Sequence, residues 1–447
     1  MNHLAHRLRP LFAKVLHSVA DQGASSGTNF AVNVLLARWL SRTEYGAFSV
    51  CWSFCLVFAA FHNAIVLEPM SVIGPSEYAS KLSNYLSAVR RINWYVVLSL
   101  GILAAVVGAV YHETAVKRAL IVLSICLPGY LLLLTVRREQ YVVNRPIRAF
   151  HISLAYACAV AAILTLLRAT SWLSALTGLL CIGAALPVSI WAGKRFNGNA
   201  STNVPGVPPE RTQPVLREHW IYGRWLFASA VLAIGISEIQ TILLSVFVDL
   251  KSAGALRAMM NFVLPLTQLV TVLSVYSLPR LANRMKRLGI GPGLRQAIAF
   301  PVLITVLASL YVMALTLFGP AIERVLYKGK MAEYDFYLPY LGLAALLSAI
   351  GAGFSTLLRA AKNSQHQFVS GVTATVVGVG AATLLLHPYG VGGAVSSMIL
   401  ANAATAVCIL GFYVMILRRR PASWSRALAN LFKPPDRIEH CPATAVD

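Results

Sequence analysis

Apolar segments of membrane-spanning length follow one another along nearly the whole chain, and this constrains the fold more than any other feature. A helix of about 18 or more mostly apolar residues is long enough to cross a bilayer core. Twelve such segments occur near residues 17–40, 46–67, 93–112, 117–136, 148–167, 172–193, 224–248, 257–280, 297–319, 337–358, 367–387 and 391–417. The sequence therefore predicts an all-α, polytopic membrane protein with about twelve transmembrane helices.

Composition excludes a soluble helical protein. Hydrophobic residues make up 57% of the chain and charged residues 12%. The charged fraction is about half of the roughly 25% that is usual in soluble domains. A soluble alternative would need most of its helices to lack a polar face.

The strongly basic balance does not indicate nucleic-acid binding, because the charges follow the predicted membrane topology. The net charge is +22, with 38 Lys and Arg against 16 Asp and Glu. Most of the Lys and Arg lie at the two termini and in the even-numbered loops, which share one side in a twelve-span arrangement. The positive-inside rule then predicts cytoplasmic N- and C-termini, with the basic side facing anionic lipid headgroups.

Polar breaks divide the chain into two six-helix halves. The predicted units are residues 1–193, which begin with a short amphipathic helix, a cytoplasmic linker at 194–217, a second half at 218–417 and a cytoplasmic tail at 418–447. A shift of 208 residues aligns NVLLARWLSRTEYGA with TILLSVFVDLKSAGA and places Gly46 on Gly254. This weak match favours an internal repeat whose halves enter the membrane in the same orientation.

The first span carries an unusual polar stripe. Its members recur every four residues and so share one helix face: Asp21, Ser25, Asn29 and Asn33. Either this face is a helix–helix seam with hydrogen bonds across it, or it lines a hydrated cavity. For Asp21 the cavity is the favoured interpretation, because a lone carboxylate in the membrane needs a cation, water or substrate as its partner.

The second half holds further polar groups within its spans. Glu238 and Thr241 share a face of the seventh span, and Glu238 is either a proton site or the partner of an Arg on a neighbouring helix. Asn261 and Gln268 lie seven residues apart in the eighth span, with Pro265 between them able to bend the helix. Arg224 and Arg359 lie near the ends of their spans.

Motifs for catalysis, metal binding or nucleotide binding are not present in the sequence. Seven cysteines occur, mostly within apolar spans and without a CxxC pair, so neither a disulfide framework nor a metal site is indicated. We therefore expect a protein that is not an enzyme and needs no cofactor.

Two short passages resemble polysaccharide flippases. LARWLSRTEYGAFSV (36–50) is similar to that family's first-loop signature, in which a span ends in "LAR-x-L" before "EYG". RREQYVVNRPIRA (137–149), interpreted here as a basic loop, resembles the family's "RR-x-x-Y…RP" pattern. The family belongs to the superfamily that includes multidrug/toxin extrusion carriers and lipid II flippases.

The resemblance implies a flippase of the bacterial inner membrane that supplies surface polysaccharide biosynthesis. Its substrate would be a polyprenyl-diphosphate-linked oligosaccharide, turned across the membrane by alternating access, with a polysaccharide polymerase and glycosyltransferases as implied partners. The expected cavity residues are Asp21, Ser25, Asn29, Asn33, Arg224, Glu238, Thr241, Asn261, Gln268 and Arg359, with Asp21 and Glu238 as candidates for ion coupling.

The chain departs from that superfamily in one respect, because the sequence places no Arg at mid-membrane to clamp a diphosphate. A cation-coupled exporter of the multidrug type on the same fold is the first alternative. A polysaccharide polymerase is the second, and it would require essential Arg or His residues on an external loop.

Overall fold

The computed structural model describes residues 2–195, 212–361 and 365–418, with side chains from Leu16 onward apart from those of 190, 192–195 and 279. All regular structure in these residues is helical. Residues 196–211 of the predicted linker and 419–447 of the predicted tail lie outside the described residues. The predicted end of the linker at 217 is wrong, because the helix that follows it already begins at Thr212.

The first part of the chain, residues 2–195, forms eight helices. They are α1 Asn2–Trp39, α2 Arg42–His62, α3 Glu68–Glu77, α4 Leu82–Val110, α5 Thr114–Val142, α6 Pro146–Ala169, α7 Ala175–Ala184 and α8 Leu186–Arg195. A π-helical turn, Asn63–Leu67, joins α2 to α3 without a break. The predicted N-terminal helix is continuous with the first span, and its expected apolar face lies on side chains that are not described.

The second part, residues 212–418, forms nine helices. They are α9 Thr212–Ile236, α10 Glu238–Phe247, α11 Leu250–Met260, α12 Leu264–Leu288, α13 Ile290–Gln296, α14 Ala299–Tyr327, α15 Leu338–Ala360, α16 Gln365–Tyr389 and α17 Val391–Arg418. Two breaks are sharp: α9 and α10 meet at 50°, and α11 and α12 at 47°. The second break precedes Pro265, which lacks the N–H needed to continue a helix and starts α12 instead.

The protein is a multi-pass membrane protein, but its apolar spans number eight, or up to ten if each bent pair is one span, among the described residues. The two other predicted spans are helical without meeting that criterion. The polar stripe lowers the hydropathy of α1, and the segment at 172–193 is divided into α7 and α8 at Ala185. Length and apolar composition therefore undercount helices that carry polar residues or breaks.

The aligned segments start equivalent helices in the two parts. Ser41 caps α2 by accepting from the backbone N–H of Glu44, and Asp249 caps α11 by accepting from that of Ser252. Both cap pairs are related by the predicted shift of 208 residues. A side-chain oxygen at this position satisfies one of the free N–H groups of the first turn. The repeat register is thus the same in backbone structure as in sequence.

Close packing joins the two parts where α2 meets α11. A Cβ atom on Gly46 would lie 1.8 Å from the carbonyl oxygen of Leu250, and one on Gly254 would lie 3.0 Å from the Cα of Gly46. The absence of side chains lets these backbones approach each other. One apolar core extends across this contact and includes Phe48 of α2 and Leu256 of α11.

Candidate functional site

Asp21 of α1 is fully buried and is held by side chains from α5 and α6. The Nη2 of Arg137 lies 2.9 Å from Oδ2 of Asp21, and the hydroxyl of Tyr141 donates to the same oxygen at 2.5 Å. The Nε of Arg137 lies 3.3 Å from Oδ1, which also accepts from the hydroxyl of Ser153. Charge-assisted bonds of this kind stabilise an ionised carboxylate.

The same guanidinium extends the polar stripe of α1. Nη1 of Arg137 donates to the hydroxyl of Ser25 at 2.8 Å, one turn beyond Asp21. A small cavity between α1, α5 and α6 is lined by Ser25, Asn29, Tyr130, Leu133, Leu134, Arg137, Ser153 and Tyr156. The stripe therefore combines the two expected arrangements. Asp21 lies in a helix–helix seam with hydrogen bonds across it, and Ser25 and Asn29 border a cavity.

Asn33 completes the stripe at a deeper level. Its side chain is buried, and its amide nitrogen donates to the carbonyl of Asn29 at 2.9 Å. Its Oδ1 has no hydrogen-bond partner among the described residues. A buried acceptor without a partner costs about 1–3 kcal/mol, so this oxygen is available to a donor from water or a ligand.

A second ion pair lies in the second part of the chain. Oε2 of Glu238, the first residue of α10, is 3.0 Å from Nη1 of Arg257 on α11. The Arg257 side chain is 6% exposed and that of Glu238 is 15% exposed. The predicted alternative for Glu238, pairing with an Arg on a neighbouring helix, is therefore the arrangement observed. Arg257 is a buried cation at the first residue of the predicted eighth span, 257–280.

Polar groups on and beside the helices that carry this second pair, α10 and α11, are incompletely satisfied. Nε of Arg257 has no partner among the described residues, nor do the hydroxyl of Thr241 and Oδ1 of Asn261. Gln240 is fully buried, and neither its amide nitrogen nor its amide oxygen has a described partner. Buried polar atoms are normally hydrogen-bonded. This region therefore has unused capacity for water or a polar ligand.

Three expected cavity residues do not join either pair. Gln268 is exposed on α12, and the helix break after Met260 removes it from the face that carries Asn261. Arg359 is exposed on α15. Arg224 is exposed on α9 and lies 5.7 Å from the ring centroid of Trp225.

Sequence reasoning missed the partners of Asp21. Arg137 was assigned to a basic loop because the apolar run ends at Val136, but α5 continues to Val142. One signal was present: Arg137 and Tyr141 are four residues apart and share a helix face. Ser153 gave no signal, since a single serine in an apolar helix is common.

Groups of three or more His, Cys, Asp or Glu side chains placed to hold a metal ion do not occur among the described residues. The two carboxylates that matter are each beside an arginine instead. A guanidinium at 3 Å occupies the position in which a bound cation would otherwise balance the charge.

Comparisons with known proteins identify the fold. No protein-family model and no curated protein matches the sequence. Among solved structures, an inward-facing multidrug resistance MATE family transporter of the MOP superfamily aligns with a TM-score of 0.72 and 10% identity, over 93% of this chain and 100% of that one. The lipid II flippase MurJ, in an inward closed conformation, aligns with a TM-score of 0.66 and 15% identity, over 90% and 87%.

A third solved structure also has this fold. A MOP superfamily transporter from Pyrococcus furiosus, described as having a binding pocket of reverse polarity, aligns with a TM-score of 0.63 and 11% identity, over 90% of this chain and 94% of that one. Nearly full-length agreement at such low identity is agreement of fold. This chain therefore has the fold shared by MATE transporters and the lipid II flippase.

Proposed function

We propose that the protein is a flippase that moves a polyprenyl-diphosphate-linked oligosaccharide across the bacterial inner membrane by alternating access. The observation that carries the proposal is the Asp21–Arg137–Ser25 network beside the cavity of α1, α5 and α6. Arginine recognises phosphate oxygens with the same paired N–H geometry that it uses for a carboxylate.

The cavity is small, so the proposed binding of a diphosphate requires α1, α5 and α6 to move apart during the cycle. The diphosphate would then exchange with Asp21 for the guanidinium of Arg137. Released from its cation, the Asp21 carboxylate would bind a coupling ion, which links substrate binding to ion binding. The sugar needs replacement hydrogen bonds when it leaves water. Asn29 and Tyr130 of the cavity lining are the proposed partners, together with the unpartnered Oδ1 of Asn33 one turn beyond Asn29. Asp21 is thus the proposed coupling residue of this part.

The second pair would act later along the same route. Arg257 has an unused Nε, and unpartnered polar atoms of Gln240, Thr241 and Asn261 lie nearby in sequence. We expect Glu238 to respond as Asp21 does, as a second candidate for ion coupling. A polymerase and glycosyltransferases are the partners expected of such a flippase, because they consume and supply its substrate.

An exporter of the multidrug type is the second candidate. It is favoured by the two intramembrane carboxylates together with the aromatic lining of Tyr130 and Tyr156, a combination suited to organic cations. The arginine beside each carboxylate opposes it, because a guanidinium at 3 Å repels a cationic ligand.

The decisive experiment measures lipid-linked repeat units in cells that lack the protein, with the membrane side resolved by an impermeant sugar-labelling reagent. The proposal predicts units trapped on the cytoplasmic face. Units that reach the outer face without being polymerised would indicate a polymerase. No accumulation, together with greater sensitivity to cationic compounds, would indicate the exporter.

Variants connect this phenotype to the site. Arg137→Lys keeps the charge but loses the paired geometry, so we expect units to remain trapped at normal protein levels in the membrane. Arg138→Gln is the matched control, since the Arg138 side chain contacts Asn63 at 3.4 Å and not Asp21. Equal complementation by both variants would contradict a phosphate-binding role for Arg137.

A further inference from the structure

Polar contacts join the two parts of the chain at the membrane face where α1 ends. Nζ of Lys330 donates to the carbonyl oxygens of Arg38 and Leu40 at 2.7 and 2.8 Å. Arg42 forms an ion pair with Glu333. Nη1 of Arg38 lies 3.4 Å from the carbonyl oxygen of Val325. We call these six residues (Arg38, Leu40, Arg42, Val325, Lys330 and Glu333) the polar latch.

Lys330 matches the chemistry of the helix end that it contacts. The last carbonyl groups of α1 have no partners within the helix, and they carry the negative end of its dipole. An ammonium group has three donors, and Lys330 donates both to the carbonyl of Arg38 in the last turn of α1 and to that of Leu40, the residue after Trp39. The contact therefore depends on α1 ending where it does, at Trp39, and not on a particular side chain of α1.

The turn that presents Lys330 is fixed to the second part of the chain. Lys328 and Gly329 adopt positive φ angles of 57° and 72°, which turn the backbone after α14. On one side, Tyr327 is fully buried and donates to the carbonyl of Ala258 at 3.0 Å. On the other, the N–H of Met331 donates to Glu323 at 2.8 Å. Hydrogen bonds thus tie the turn to the second part, and its described hydrogen bonds to the first part are those of the latch.

We propose that the polar latch is the gate that closes this face of the transporter, and that each transport cycle must break it. The inference rests on the proposed alternating access, in which the contacts between two halves at one face are released as that face opens. The latch residues lie in two segments separated by nearly 300 positions, so opening between the parts would separate every donor from its acceptor.

The strength of the latch suits a contact that must be reversible. Burial, and the nearby cations Arg168, Lys328 and Arg42, lower the pKa of Lys330 below its usual value. These cations repel the ammonium and offset part of its attraction to α1. The pair of Arg42 and Glu333 is exposed, and such pairs contribute little. The latch therefore favours the state in which this face is closed, but it does not prevent the face from opening.

Distances between spin labels on opposite parts test the proposal without any substrate. Labels would be placed at Lys117→Cys, at the start of α5, and Phe336→Cys, before α15, after replacing Cys158, Cys408 and Cys441 with serine. Both label positions are exposed, while Cys51, Cys55, Cys126 and Cys181 are buried or hydrogen-bonded inside the bundle. Double electron–electron resonance in liposomes then reports the separation at this face.

The expected result is that Lys330→Met raises the population with the longer label distance by about tenfold, since bonds from a charged donor are lost. Glu333→Lys should shift it in the same direction, and it replaces an exposed residue whose loss does not threaten folding. Lys251→Met is the control, because Lys251 is exposed at the start of α11 and forms no described bond to the first part. Unchanged distances in both latch variants would overturn the proposal.

A cross-link supplies the opposite test. Arg42→Cys combined with Glu333→Cys and joined by a short bis-maleimide cross-linker should hold the short distance, because the ion pair already brings the ends of these two side chains together. In this variant the spin labels at 117 and 336 are carried by p-acetylphenylalanine, so that the cysteines react with the cross-linker alone. A broad distribution that persists in the cross-linked protein would contradict a gate at this position. Both readouts are independent of the substrate, so an error in the proposed substrate leaves them unaffected.

Discussion

The two parts of the chain use similar backbones to hold differently satisfied ion pairs. In residues 2–195, the Asp21 carboxylate accepts from Arg137, Tyr141 and Ser153, which lie on two other helices. In residues 212–418, Glu238 meets only Arg257 among its described partners. The two pairs do not lie at positions related by the 208-residue shift, so each part satisfies its buried charge with partners of its own.

The largest effect is expected from removing the cation of the well-satisfied pair. Arg137→Gln leaves the fully buried Asp21 carboxylate without its countercharge, which should lower the free energy of unfolding by about 3–5 kcal/mol. Thermal unfolding of the detergent-solubilised protein measures this loss. Adding Asp21→Asn should restore more than half of it, because neither residue is then left charged alone. A double variant no more stable than the single one would contradict the assigned pairing.

The contact between the parts should respond unequally to its two glycines. Gly46→Ala places a methyl group 1.8 Å from a backbone carbonyl, so we expect a loss of about 2–3 kcal/mol in the free energy of unfolding. Gly254→Ala should cost about 1 kcal/mol, since its nearest contact is at 3.0 Å. Gly27→Ala, with nothing within 4 Å, is the control and should be neutral or stabilising. Equal losses of the free energy of unfolding in Gly46→Ala and Gly254→Ala would mean that the backbones of α2 and α11 move apart easily.

The less satisfied pair should tolerate loss of its charge better. Glu238→Gln is expected to lower the free energy of unfolding by about 1–2 kcal/mol. The loss is smaller than in Arg137→Gln because Gln keeps an acceptor oxygen for the buried Arg257 and water can reach the 15% exposed side chain at position 238. The proposed transport should nevertheless fall as strongly as in Asp21→Asn. Measuring both quantities in the same preparations separates stability from function. If Glu238→Gln lowers the free energy of unfolding more than Arg137→Gln does, the second ion pair contributes more to stability than the first, contrary to this prediction.

The smallest effects should come from the equivalent helix caps. Ser41→Ala and Asp249→Ala each remove one side-chain acceptor from the first turn of a helix, at about 1 kcal/mol each. Ser237→Ala is the control, because Ser237 precedes α10 without forming a side-chain cap bond. Chemical denaturation should show two similar losses and a neutral control. Clearly unequal losses of stability in Ser41→Ala and Asp249→Ala would show that the two caps share their geometry but not their contribution to stability.

The sequence predicted the parts of this fold that depend on local patterns. The four-residue spacing of the stripe placed Asp21 and Ser25 on one face, and a single guanidinium now contacts both. The 208-residue shift matched Gly46 with Gly254, which pack against each other. Such features depend on helix periodicity and on steric limits, both of which can be seen in a single sequence.

Features that depend on where helices end were not predictable in the same way. Hydropathy locates the hydrocarbon boundary, whereas α5 continues beyond it and carries Arg137 into contact with Asp21. The prediction that Asn261 and Gln268 lie on one continuous helix is wrong, because α11 ends at Met260 and α12 begins at Leu264. For Glu238, one predicted alternative was an ion pair with some Arg on a neighbouring helix. The sequence did not identify Arg257 as that partner, because the choice among several arginines depends on tertiary packing.

The glycine contact between α2 and α11 has a consequence for how its two positions can vary. In a symmetric dimer of identical units, a side chain added at such a contact would be added on both sides of it. In a single chain, each position can be substituted separately. The clearances at Gly46 and Gly254 are unequal, so the two positions are not interchangeable. A side chain can therefore be added at position 254 while position 46 remains glycine, which a symmetric dimer of the same units could not do.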